Sequence, residues 1–185
     1  MVRIGVTGHR FLTEMDKISA GIEKALRRIE QQYLGESLTI VSSLAEGTDR
    51  LVVHHILKRT GAQLIAPLPL ARAKYMDDFA STESKEEFLA FLAAADQVVQ
   101  LPEAESREVA YQAAGEYVLD HCDVLLTVWD GKSAQGQGGT AHIVEQARMR
   151  GLPIAWVHAG NRKPGTHDPG SLEAEQGVIM FENFG

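Results

Sequence analysis

A single cysteine stands in the 185 residues, so no internal disulfide is possible. Cys122 lies between a helical stretch and an apolar run and reads as a small buried hydrophobe. No apolar run approaches the ~18–20 residues of a membrane span. The N-terminus enters a short strand with no long apolar signal segment, so a cytoplasmic protein without membrane contact is expected. Cations are scarce as well: 18 Lys and Arg against 25 Asp and Glu leave a net charge of −7. This balance argues against sequence-independent nucleic-acid binding, which needs many cationic contacts to phosphates. Aromatics make up 6% of the chain, too few for a base-stacking platform interleaved with basic residues. A local basic pocket stays open. No internal repeat and no low-complexity linker precede about residue 159.

What is present is ordinary for one globular domain with a sizeable core: 44% hydrophobic and 23% charged residues. Strands are expected at Arg3 to Thr7, Leu38 to Ser42, Gln63 to Ala66 (closed by Pro67 and Pro69), Val98 to Leu101, Val124 to Val128 and Ile154 to His158. Helical spacing intervenes each time. Ile18, Ile22, Ala25, Leu26, Ile29 and Tyr33 mark the first helix, and Val52, Val53, Ile56 and Leu57 the second, capped by Thr48 or Asp49. One helical region spans residues 72–95, with Phe88, Leu89, Leu92 and Ala95 as its buried stripe. Val109, Ala113, Tyr117 and Val118 mark another helix, and a last one runs from Ala141 to Arg150. Alternation with right-handed crossovers predicts an α/β fold, a three-layer, doubly wound, mostly parallel sheet with helices on both faces. This domain covers residues 1–158. Residues 159–185 form a turn-rich C-terminal extension, expected to be mobile, with a possible edge strand at Gly177 to Phe181.

In such a fold the ligand belongs outside the carboxyl ends of the strands. Three polar loops follow apolar strands there: Gly8-His9-Arg10, residues 43–50, and residues 129–140. The third organises the chain, because a doubly buried strand breaks at Trp129-Asp130-Gly131 into a loop holding Gly136, Gly138 and Gly139 before Thr140. Glycines let backbone approach a ligand, and amides opening a helix favour an anion. Gly8, Arg10, Gly136, Gly138, Gly139 and Thr140 are therefore the candidate phosphate-binding residues, Arg10 by bidentate pairing. His9, Ser43, Gly47, Trp129 and Gly131 are candidates for sugar or base. Glu46 and Asp130 either accept ribose hydroxyls or serve as catalytic carboxylates. Bland alternatives exist for several. Arg10 could instead bridge an acidic partner, Trp129 close the core, Asp130-Gly131 form a turn, and Asp49-Arg50 start a helix with local salt bridges.

Two apparent motifs fail on spacing. Gly131-Lys132-Ser133 copies the end of a P-loop, but Leu126 stands where the first glycine is required. The first loop lacks Gly-x-Gly-x-x-Gly, which weakens an ordinary dinucleotide-binding reading. No metal site and no cofactor is expected, since His54-His55 and His142-x-x-Glu145 lie on helices without a third ligand in range.

Val6-Thr-Gly-His-Arg10, Ser43-Leu-Ala-Glu-Gly-Thr-Asp-Arg-Leu51, Tyr75-x-x-Asp78-Phe79 and Trp129-Asp-Gly…Gly-Gly-Thr-Ala141 together resemble the SLOG superfamily, over about residues 2–158. That group has a Rossmann-like fold and includes the DNA-processing protein A (Smf) family and the cytokinin-activating phosphoribohydrolases once labelled lysine decarboxylases. The resemblance implies a nucleotide-type ligand with phosphate on the glycine-rich loop, and a homodimer to which residues 75–95 could contribute. The phosphoribohydrolases carry Pro-Gly-Gly-x-Gly-Thr-x-x-Glu. Here Gly139-Thr140 matches the Gly-Thr pair, but Ile143 holds the glutamate position and no proline precedes Gly138. Glu145 lies roughly 200° further around the helix at about 100° per residue.

Three functions follow in order. The first is a ligand-sensing module that binds a nucleotide or nucleotide-derived metabolite, with Glu46 and Asp130 on the sugar and Trp129 at the base. The second is a nucleotide N-glycosidic hydrolase using Glu46 or Asp130. The third is a protein-interaction domain with a vestigial site.

Overall fold

The computed structural model describes residues 1–133 and 139–185. Seven strands form one open sheet: β1 (Val2–Gly8), β2 (Leu38–Val41), β3 (Gln63–Leu68), β4 (Gln97–Gln100), β5 (Val124–Trp129), β6 (Ile154–His158) and β7 (Ile179–Glu182). Their order is β4-β3-β2-β1-β5-β6-β7, with every neighbouring pair parallel except β6–β7. Six helices accompany the sheet among the described residues: α1 (Met15–Gln32), α2 (Thr48–Ile56), α3 (Arg72–Met76), α4 (Thr82–Ala94), α5 (Arg107–Asp120) and α6 (Thr140–Met149). This is the doubly wound Rossmann-like α/β layout. No described helix is long and apolar enough to cross a membrane.

Strand alternation divides the core. Val124, Leu126 and Val128 face a cluster shared with Ile18, Ile22 and Leu26 of α1 and Val52, Val53 and Ile56 of α2. Leu125 and Trp129 face the opposite side, with Leu119 of α5 and Ile143, Val144 and Ala147 of α6. All six β5 residues are therefore buried, as expected of a central parallel strand with both faces covered. Each such aliphatic side chain contributes about 1.5–3 kcal/mol on full burial.

Four local expectations change. The helical region over 72–95 is two helices, because the Ser81 hydroxyl accepts the Ser84 amide and starts α4 anew. The break turns Phe79 inward, its ring 5.0 Å from both Tyr75 and Phe88. Of the expected stripe only Phe88 is fully buried, while Leu89, Leu92 and Ala95 are half-buried. On α5 the inner face is Ala110, Ala114, Val118 and Leu119, and Val109 is exposed. Strand β3 continues through Pro67: its ladder with β2 stops at Val41↔Ile65, whereas that with β4 runs on to Leu68↔Gln100. A proline is tolerated where no neighbour needs its missing N–H. Neither Thr48 nor Asp49 caps α2, since Gly47 holds the cap position at φ 81° and both residues lie inside the helix.

The extension carries the expected edge strand as β7. Residues 159–176 pack beside the sheet's carboxyl rim. Ala159 N–H donates to the Trp129 carbonyl and Arg162 N–H to that of Phe11. Gln176 is the staple: its Oε1 accepts the Gly160 and Leu172 amides at 3.0 Å each, and its Nε2 donates to Thr13 O at 3.2 Å.

Candidate functional site

A cleft of about 470 Å³ opens at the carboxyl ends of β1 and β5. Gly8, His9, Arg10 and Phe11 form one wall, Trp129, Asp130, Lys132 and Ser133 a second, and Gly139, Thr140 and Ala141 a third. Asn161, Lys163, Thr166 and Asp168 of the extension complete it. Two of the three expected loops thus meet. Gly136 and Gly138 lie outside the described residues. Gly139 holds the N-cap of α6 at φ 87°, and among the described residues nothing stands within 4 Å of where a Cβ would be.

The β1 loop is clamped from both sides. His9 N–H donates to Val128 O at 2.9 Å, while its carbonyl accepts the Thr48 amide at 3.1 Å and Thr48 Oγ1 at 2.9 Å. His9 is buried, and its Nε2 accepts the Asp130 amide at 3.0 Å. The same nitrogen lies 3.3 Å from Asp130 Oδ1. Burial opposes charge on Asp130. His9, the Lys132 amide at 3.1 Å and the Lys132 ammonium outweigh it and hold the carboxyl below its ordinary range. This group is suited to accepting hydroxyls.

The 43–50 loop does not line the cleft; it supports Arg10 from behind. Arg10 Nε donates to Glu46 Oε2 at 2.7 Å, and Nη2 reaches the same oxygen and the Asp78 carbonyl. Glu46 Oε1 accepts the Ala80 amide at 2.9 Å and the Ser84 hydroxyl. Burial raises the Glu46 pKa, but the bonds from Ser84, Ala80 and Arg10 bring it net below the ordinary value. Ser43 and Gly47 also stand outside the cleft. Gly47 allows the loop to cross Arg10, whose Cα would lie 2.7 Å from any Cβ there. Arg50 is buried, donating to Leu44 O at 2.9 Å and to Ser84 while its guanidinium covers Phe79 at 4.4 Å. It ties α4 to this loop.

Trp129 is 4% exposed and belongs to the core, where its ring tilts against Trp156 at 5.2 Å. Its carbonyl accepts Trp156 Nε1 at 2.9 Å. Gly131 at φ 79° leaves room for that Trp156 ring, 3.0 Å from a Cβ built there. Lys132 crosses the mouth, its Nζ 2.7 Å from Asp168 Oδ1 and 3.8 Å from Asp130 Oδ2. Sequence reasoning missed Phe11, Lys132, Ser133 and the four extension residues. Lys132 fell within the 129–140 rim loop but was singled out only as part of a failed P-loop, and the extension carries no strand-loop-helix signal. No group of three or more potential metal ligands occurs among the described residues. Cys122 packs against Gly5, and burial pushes its thiol up to about 12, which leaves it unreactive.

Beneath the 43–50 loop, Asp49 accepts Ser42 Oγ at 2.8 Å, and the fully buried Leu44 sits at φ 60°, a region costly for a non-glycine residue. Burial pushes the Asp49 carboxyl up to about 6, against the opposing bond from Ser42. The folded protein then holds this proton more tightly than the unfolded chain. Its stabilising contribution is complete below about pH 4 and is lost as pH rises through about 6. Asp49→Asn is expected to flatten that segment of the stability profile in urea titrations between pH 4.5 and 7. An unchanged slope would discard Asp49 as its source.

No protein-family model matches the chain, and no curated protein is significantly similar to it.

Proposed function

We propose that this cleft binds a nucleotide or nucleotide-derived metabolite and that the protein is a SLOG-type ligand-sensing module. One observation carries the reading: the position of the cleft. From β1 the chain winds outward through β2, β3 and β4, then returns to β5 on the other side of β1 and winds the opposite way. The cleft lies at that reversal, lined by the loops after β1 and β5. Open α/β sheets bind ligands at such a point because the two loops diverge and leave a crevice.

Phosphate rests on the α6 amides at Gly139 and Thr140, with Lys132, Lys163 and Arg10 as countercharges. Gly136 and Gly138 belong to the same loop by sequence. Asp130 takes the sugar hydroxyls. With Trp129 buried, Phe11 supplies the ring face for the base: it is half-buried and lines the cleft. Binding without turnover is favoured by the state of the two carboxylates. Glu46 is saturated by Arg10, Ala80 and Ser84, and Asp130 is held as a weak base, whereas general-base work favours a pKa near the working pH. A homodimer is part of this reading, supported by the half-buried Leu89 and Leu92 and the exposed Val98 at the β4 edge. A monomer by sedimentation at micromolar concentration would remove it.

The test is mass spectrometry of small molecules released from denatured protein, followed by a thermal-shift screen. Ligand at ~100 times its Kd stabilises by about 2.7 kcal/mol. Arg10→Ala and Gly139→Val are expected to weaken binding roughly ten-fold or more, the loss of one charge-assisted contact. Asp130→Asn should weaken it more than Glu46→Gln does. Silence across mono-, di- and cyclic nucleotides and ADP-ribose derivatives overturns the proposal, and free base released with Glu46 as the sensitive residue would replace it with a hydrolase.

A further inference from the structure

The cleft already contains an acid in the place of an anionic ligand. Lys132 Nζ meets Asp168 Oδ1 at 2.7 Å, and both side chains line the same cleft as Arg10, Lys163 and the start of α6. Asp168 comes from the extension, and pairing with Lys132 holds its carboxyl below the ordinary range. The extension is rooted firmly on both sides, through Ala159 and Arg162 before it and through the buried Gln176 after it. Between these roots, residues 163–169 bond mainly among themselves, with Thr166 accepting from and donating to its neighbours. Among the described residues, Asp168 to Lys132 is their one side-chain bond to the rest of the fold.

Lys132 is half exposed, and an ion pair so open to water is weak and readily exchanged. A phosphoryl oxygen accepts from an ammonium as a carboxylate oxygen does, but with more charge. An anion bound at Lys132 must also face two carboxylates, Asp130 and Asp168. Of these only Asp168 sits on a segment whose one side-chain bond to the rest of the fold, among the described residues, is the pair itself, the chain being held again at Gly170 by the Thr13 hydroxyl.

Resting on the nucleotide-binding reading of this cleft, we infer that Asp168 is an internal stand-in for the ligand's anionic group, displaced from Lys132 when that group binds. Binding thereby releases residues 163–169 from the rim, and this loop reports occupancy of the site. Asp168 is an affinity-setting residue, and Lys132 is the contact shared by loop and ligand.

The probe is inorganic pyrophosphate, with ADP in parallel, and the readouts are calorimetric affinity and amide hydrogen exchange at residues 165–168. In the wild type, pyrophosphate should speed exchange there several-fold. Asp168→Asn should exchange fast without any ligand and bind pyrophosphate about three- to five-fold tighter, the scale of one exposed ion pair. Lys132→Gln should also exchange fast, yet bind more weakly. The inference is overturned if pyrophosphate fails to bind, if it leaves or slows exchange in the wild type, or if Asp168→Asn binds no tighter. Pyrophosphate behaving as described while every nucleotide fails would remove the nucleotide reading and keep the latch. Nucleotide binding with an unaltered loop would do the reverse.

Discussion

Gly8→Val is expected to destabilise the protein by at least about 3 kcal/mol, beyond ordinary overpacking, and to lower Tm by roughly 6–12 °C. A Cβ at Gly8 would stand 2.6 Å from the Val128 carbonyl oxygen and closer still to the Thr48 side chain. Neither can give way. Val128 is in the ladder that pairs Gly8 with β5, and Thr48 is bound through its amide and hydroxyl to the His9 carbonyl. The end of β1, the start of α2 and the end of β5 therefore converge on one position without a side chain. The same convergence aims His9 and Arg10 into the cleft, so ligand affinity should fall with stability. Thermal unfolding with and without nucleotide measures both. Gly139→Ala makes the contrast: among the described residues nothing lies within 4 Å of its Cβ position, and the φ of 87° resists, at about 1 kcal/mol. A Gly8→Val protein with wild-type Tm would show that the rim can relax, and the clamp would be discarded.

Gln176→Leu should loosen the extension while leaving the sheet intact. Gln176 is 5% exposed, and leucine in its place strands the Gly160 and Leu172 amides and the Thr13 carbonyl. An unmet buried polar group costs about 1–3 kcal/mol, partly recovered as water reaches the opened loop, so a net loss of about 2–4 kcal/mol is expected. Amide exchange at Gly160 and Leu172 should accelerate, while that of β5 stays slow. Since Asn161, Lys163, Thr166 and Asp168 form a wall of the cleft, nucleotide affinity should drop about ten-fold or more. Equal exchange at those two amides in variant and wild type would mean that other contacts hold the extension.

Much of this was legible in the chain. The run Val124 to Val128 announced a strand buried on both faces, and the α1 spacing announced its inner side, because burial follows periods of two and 3.6 that any sequence displays. The meeting of the Gly8 and Trp129 loops was equally legible, since parallel strands place their following loops on one rim. Other features depended on partners far away in sequence. Asp78, Ala80 and Ser84 lie more than thirty residues from Arg10 and Glu46, yet they decide that Glu46 is a clamp behind Arg10 and not a group facing the cleft. Trp129 had two readings in the sequence; a core opened by Leu119, Ile143 and Ala147 chose between them.

The extension shows the difference most sharply. Its glycines and prolines specify turns without saying where those turns lie, because turn chemistry is local and docking is not. Composition and periodicity determined the alternating α/β order, the parallel sheet and the rim on which a ligand would be held. Only tertiary contacts decided which polar residues face the cleft: hydrogen bonds over long sequence separations consumed Glu46, buried Trp129, and brought Lys163 and Asp168 to a rim they follow by no rule of sequence.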